Sequence, residues 1–598
     1  MPGGWLTTRS LLVAVAICCG GTAGAQDRQS QQNDQARRAP LEAHLRFAAP
    51  DGSPIAKVTP GQPFRVEVTL QSLTGALSRE IAPMAWIRPA ALSDLPCTET
   101  AAAYRATGTG SAGSVDLNGL LIGMLSEDAS LTILDPERSI GTANLIAAHR
   151  FDERPAAMIA DDVAGRFILS LPDAGQVVAL APMSEIAVLA DGLYQPAQMV
   201  PHPEGGAWVV DGGGDLLAVR DNAPLLRLPI GARRIAGAGD RLAVLAADQV
   251  ALLGPSGNVL IRHEAADARA IALLASDPGG PDHGTALAWL SGAGLSIIWA
   301  DAPDKAIHIP LGRQHADLAI SPEGRYAFAY GDGVEMSVID LSLGRVVQVV
   351  GSASVIAEIG FLEGAAVLRT ADGALSGVMD LRMIKPGEEA VIGHFALGND
   401  GPAPGQDTAL LAPLQPEDQM LVVSAARYTG FVLNLGHGTS GKPPMESIPL
   451  RGGTPRIVRA LDRGLREETT GRFATIARVP MAARYELVVS AGIGQASFCA
   501  PVPMDVPVTP PEALPGRVAA VEADASGLRL RLTDGAGRPV AEARGHLLIT
   551  SLSGNWRNRV TFKTDGDGFT VPALKLPTPP LAIIVESDGR NFDPFVME

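Results

Sequence analysis

No Cys-x-x-Cys-His motif occurs in the chain, so covalently attached c-type haem is excluded. A Gly-x-Ser-x-Gly elbow, a Walker loop and a His-Glu-x-x-His motif are equally absent, which leaves catalysis without a sequence signature. Beyond the N-terminal region no stretch reaches the roughly 20 uninterrupted apolar residues of a membrane helix, so no membrane span is expected. Basic residues are the minority: 48 Lys and Arg stand against 64 Asp and Glu, a formal net charge of −16. That balance discourages nucleic-acid and anionic-membrane partners, which select basic patches, and it also serves solubility. Charged residues make up only 19% of the chain, whereas Gly and Pro fill 66 and 46 positions. Such a composition suits many short strands joined by turns and leaves little room for long helices. At 598 residues the chain is also too long for one ordinary core.

Cysteine is scarce, and two of the four lie in an N-terminal segment with the features of a secretory signal. Residues 1–25 carry Arg9, an apolar stretch from Leu11 to Cys19, and Ala23-Gly24-Ala25 as a cleavage site before Gln26. Cys18 and Cys19 make a lipoprotein the alternative, although Ile17 is bulkier than the small residue that precedes a lipidated cysteine. The expected location is periplasmic or secreted. Cys97 and Cys499 then remain, one on either flank of the central region. In an oxidising compartment they are candidates for a disulfide, with two separate buried thiols as the alternative.

Residues 26–40 are polar and Gln-rich and read as a flexible lead-in. Residues 41–113 change to strand-like runs such as "FRVEVTL" and "MAWIRP", separated by Pro- and Gly-containing turns, and read as an N-terminal β-sandwich with a connector. From 114 to 452 the chain is repetitive. Its best copy, Gln314 to Val350, holds four strands divided by a Ser-Pro-Glu-Gly turn and a Gly-Asp-Gly turn. Comparable segments start near 154, 195, 234, 269, 314 and 354, close to the period of about 40–45 residues that marks a propeller blade. The first unit offers three strands without an obvious first strand, which suits a ring that completes one blade from both chain ends. The fold class is therefore all-β: a propeller of about eight blades, or seven, flanked by small sandwiches. Residues 453–505 read as a second sandwich, 506–516 as a Pro-rich linker, and 517–598 as a C-terminal sandwich with alternating strands around Asp-Gly turns.

The segment "SPEGRYAFAYGDGVEMSVIDLSLGRVVQVV" resembles the YVTN-type repeats of exported propellers and the propeller that holds haem d1 in cytochrome cd1. The flanks resemble immunoglobulin-like modules. This resemblance implies a fold shared by cofactor-handling proteins, accessory proteins of periplasmic redox systems, lactonases and adhesion proteins, without selecting among them.

Aligning the repeats brings Arg154, Gln195, Arg234, Arg269, Arg313 and His315 to the starts of innermost strands, where a propeller opens one mouth of its channel. Guanidinium forks converging there would suit a carboxylate or a haem propionate. The competing reading pairs the arginines with acids such as Asp152, Glu153 and Asp267. His149, His263, His308 and His394 fall near the ends of fourth strands and read as ordinary edge histidines, and His202 sits in a turn. "SFCAPVPM", with Cys499 and Met504, is similar to the end of a cupredoxin but lacks the histidine between them. Thr564 to Gly568 reads as a hairpin turn in preference to a calcium loop.

No catalytic or metal residue emerges, and noncovalent haem or a metal is the open cofactor class. The leading expectation is a non-catalytic binding or scaffold protein with a periplasmic protein partner, accessory to a redox or metal-cofactor system. A propeller oxidoreductase or hydrolase, and a surface adhesion protein, are the alternatives.

Overall fold

A computed structural model describes residues 41–597 apart from short stretches, the longest being 108–113, 137–143, 275–284, 399–406, 436–443 and 505–516. The segments read from sequence as a signal, a lead-in and a Pro-rich linker lie outside the described residues. No helix among the described residues is long and apolar enough to cross a membrane.

Eight four-stranded antiparallel sheets follow one another as blades. Blade six shows why the repeat folds. Gly324 adopts φ +69° in the Ser-Pro-Glu-Gly turn, and a Cβ there would lie 2.4 Å from Leu274 of blade five. The Ser321 hydroxyl accepts the amide of Tyr326 at 3.1 Å, setting the next strand in register. Along that strand, Tyr326, Phe328 and Tyr330 face blade seven while Ala327 and Ala329 face blade five. The period of two thus builds one core on each face of the sheet. Eight apolar clusters fill the eight interfaces between neighbouring blades, so the ring is continuous.

The ring is closed by Pro455–Asp462, which forms the innermost strand of blade one beside Leu120–Ser126, with Val458 opposite Met124 and Asp462 opposite Leu120. That strand lies in the segment read from sequence as the start of the second sandwich, so the propeller extends past residue 452. The three-strand start of the repeat region finds its missing strand about 335 residues downstream.

The two segments read as separate sandwiches share both of their sheets. One sheet runs Leu41–Ala48, Phe64–Ser72, Arg472–Ala477, Arg466–Thr469, and the other Val115–Asp116, Met84–Pro89, Tyr485–Ala491, Ala496–Pro501. Phe64, Val66, Val68, Ile87, Phe473, Leu487 and Val489 fill one core drawn from both segments. The propeller is therefore an insertion within a discontinuous sandwich. A helix, Cys97–Thr107, covers its second sheet: Tyr104 packs edge-on against Trp86 with centroids 5.1 Å apart, and Arg88 donates to Thr100 and to Glu486. Cys97 at the start of this helix is disulfide-bonded to Cys499 on the edge strand, which settles the open pairing and leaves Cys499 unavailable as a metal ligand. Met504 packs against the sandwich core.

Residues after 516 form a three-stranded and a four-stranded sheet around a core of their own. In the turn at Asp565 its carboxylate accepts the amides of Asp567 and Phe569, a hairpin cap. This domain leans on blade one. Leu548 and Ala582 join the cluster between blades eight and one, and Arg557 donates two bonds to Asp128, at 2.6 and 2.8 Å. The Arg557 side chain is only 2% exposed, so removing its partner strands a buried charge. Because Asp128 is 38% exposed, Asp128→Ala is expected to cost about 2 kcal/mol, less than a fully buried pair. Limited proteolysis should then release the C-terminal domain sooner, and unchanged cleavage kinetics would show that the pair does not hold the domain.

Candidate functional site at the channel mouth

An innermost strand is bonded along one edge and packed on both faces by neighbouring blades, so solvent reaches its middle only through the channel. Its starting end forms one mouth. There Arg234 of blade four reaches to blade six and donates to both carboxylate oxygens of Asp317, at 3.1 and 3.2 Å, and to the carbonyl of Arg269 at 3.3 Å. Arg269 of blade five donates to the Gln314 side chain at 2.7 Å. Three blades are thus tied by one polar chain that ends on Asp317.

The other sequence-derived positions lie outside this chain. Arg154 pairs with Glu127 at 2.6 Å, and Arg313 pairs with Glu335. Gln195 is exposed, with φ +55°. His315 is 3% exposed and turned into blade six, where its Nε2 lies 2.9 Å from the Ser337 hydroxyl and its Nδ1 has no partner. Arg154, Arg234 and Arg313 do find acids, but not the ones adjacent in sequence, and Arg269 finds the neutral Gln314. Glu153 accepts the amides of Asp173 and Ala174, and Asp267 accepts that of Gly292.

Burial, reinforced by the positive charge of Arg313 and opposed by Asp332, holds His315 below the ordinary histidine range. His149 and His202 are lowered by burial as well. Each folded-state value lies below the unfolded one, so the unfolded chain binds more protons in the window beneath about pH 6.5. Stability should therefore fall as pH drops from 6.5 towards the lowered folded values. His315→Asn should flatten part of that slope, as read by thermal melts between pH 5 and 7.5; an unchanged slope would assign the effect to the other two histidines. Among the described residues no group of three or more His, Cys, Asp or Glu is placed to hold a metal ion.

Beside the mouth, Glu358 of blade seven accepts Arg369 Nε at 2.5 Å and the amide of Leu410 at 2.9 and 3.0 Å. Arg369 is fully buried and also donates to Thr408 of blade eight. Tyr330 lies near both Asp317 and Glu358, and burial plus those charges raises its hydroxyl well above the usual range. Sequence reasoning missed Arg459. It occupies the middle of the closing strand, deep in the ring yet partly solvent-exposed, with a donated bond to the carbonyl of Val458 at 2.8 Å. The signal was a charged residue inside the apolar run "RIVRALD", legible only once that run is placed in the propeller.

By sequence, no family model and no curated protein matches the chain. Solved structures similar to it include apo AztD from Citrobacter koseri, 13% identical, with 57% of this chain and 98% of that one covered at a TM-score of 0.42. Another is the dihydro-haem d1 dehydrogenase NirN in complex with DHE, 15% identical, covering 57% and 75% at 0.44. BamB from Moraxella catarrhalis is 12% identical and covers 52% and 89% at 0.33. What the chain has in common with them is the β-propeller fold.

Proposed function

We propose that the chain is a non-catalytic binding and scaffold protein of the cell envelope, working with a protein partner as an accessory to a redox or metal-cofactor system. The observation that carries this reading is the state of the mouth. Arg154, Arg234 and Arg313 are each committed to a carboxylate of the ring itself and Arg269 to the side chain of Gln314, which makes the rim braced. An array poised for haem propionates would present open guanidinium forks instead. The discontinuous sandwich and its disulfide add a second brace at the other end of the closing strand. A ring held in this way suits presentation of a fixed surface to a partner.

The test is a visible spectrum and a metal analysis of the full mature chain purified from its own host. The expected protein is colourless and carries no stoichiometric metal. A Soret or flavin band, or one bound metal per chain, would overturn the reading in favour of a cofactor enzyme.

A further inference from the structure

Around the channel, some of the described arginines are ion-paired, whereas Arg269, Arg456 and Arg459 are held by neutral acceptors. Arg234 is matched by Asp317, and Arg369 by Glu358. Arg456, buried behind the mouth, donates to the carbonyls of Pro155 and Ala156 and lies in the fields of Glu127, Asp407 and Arg154. Arg459, like Arg456, has no carboxylate within ion-pairing distance among the described residues, but it keeps partial exposure where Arg456 is buried, and its bond is to the main chain of its own neighbour. The nearest acid in its field is Glu358, whose oxygens already serve Arg369 and Leu410. A guanidinium so deep without a counter-charge is costly, and a protein lowers that cost by supplying an anion.

We infer that the propeller channel is a binding site for a small organic carboxylate, with the guanidinium of Arg459 as its anchor. The inference deepens the binding reading above, on which it rests, by naming a ligand class. Carboxylate is favoured over an inorganic oxyanion by the rest of the lining. Val200, Ala236, Ala319 and Ile359, each on an innermost strand, keep partial exposure. Such exposure reaches them through the channel, as it does Glu358, whose carboxylate is already held by Arg369 and the Leu410 amide, so beside the Arg459 fork much of the wall is apolar. A carboxylate with a short hydrocarbon body matches both, its two oxygens meeting the planar fork and its carbons covering the alanine and valine side chains. Fully hydrated phosphate or sulfate would leave polar oxygens against that apolar wall.

The experiment is calorimetric titration of the full mature chain in low-chloride buffer with acetate, butyrate and succinate, and with inorganic phosphate and sulfate. Butyrate or succinate should bind at one site per chain, at least tenfold tighter than phosphate. Arg459→Gln should lower that affinity at least tenfold, and Arg459→Lys should recover only part of it because lysine lacks the fork. A thermal melt guards against misfolding. Without ligand, Arg459→Gln should melt at or above the temperature of the unaltered protein, since it removes an unpaired buried charge, and butyrate should raise only the unaltered protein's melting temperature. No binding of any of the five anions, tighter binding of phosphate or sulfate, equal carboxylate affinity in Arg459→Gln, or a lower melting temperature for that variant would each overturn the assignment. A colourless, metal-free protein that fails these titrations would leave the scaffold reading standing without a channel ligand.

Discussion

Replacing Cys97 and Cys499 together with alanine is expected to split thermal unfolding into two transitions, the discontinuous sandwich melting first. The linked residues are 402 positions apart in sequence, but the relevant loop is shorter. While the propeller stays folded, Leu120 and Asp462 face each other in blade one. What the disulfide closes is then the arm from 97 to 120 joined to the arm from 462 to 499, a loop of about sixty residues. In the chain-entropy account such a loop corresponds to about 4 kcal/mol, a large share of what a small domain has. The propeller does not depend on that link, because its ring is closed by Pro455–Asp462 and by eight apolar interfaces. Differential scanning calorimetry should show the lower transition moving down and the upper one holding. A single transition shifted as a whole would mean that sandwich and propeller unfold as one unit.

Glu358→Ala is expected to destabilise the propeller by about 3–5 kcal/mol. Arg369 is 0% exposed, and its other acceptors are the Thr370 carbonyl and the Thr408 hydroxyl, at 3.2 and 3.1 Å. Neither can neutralise it. Removing Glu358 therefore leaves a charge in the interior and also orphans the Leu410 amide at the start of blade eight. Adding Arg369→Met should return most of the loss, since an apolar side chain of similar length has no charge to compensate. Urea denaturation followed through the propeller's transition checks both variants. A single variant within about 1 kcal/mol of the unaltered protein would show that water relieves the stranded guanidinium.

The repeat was legible where local chemistry repeats. The Ser321 to Gly324 turn and the alternation through Tyr326, Phe328 and Tyr330 depend on neighbours a few positions away, so one blade could be read outright and the others by their spacing. Partnership between distant strands was not legible. "RIVRALD" is an apolar strand in any fold, and nothing within it says that it lies beside Leu120–Ser126. The same limit explains the mouth. Arg234 begins an innermost strand and Arg154 and Arg313 lie four residues before theirs, and the acids sought for them were the nearest in sequence. The ring instead offers Asp317 from two blades away, together with Glu127 and Glu335. His315 lies two residues before an innermost strand, and its ring is turned into the blade towards Ser337. The disulfide pairing, left open by sequence, follows from both flanks belonging to one sandwich.

The threading of the chain also sets an order of events. Strands Leu41–Ala48 and Phe64–Ser72 emerge first, yet the latter acquires its second partner only when Arg472–Ala477 arrives. Leu120–Ser126 likewise waits for Pro455–Asp462. Met84–Pro89 waits in the same way for Tyr485–Ala491. For most of synthesis the nascent chain carries these three open strand edges, each able to pair with a neighbouring molecule. A chain released after seven completed blades would keep all three. The safest history for this molecule is one in which the first hundred residues are kept apart from other chains until the last of the first five hundred has appeared.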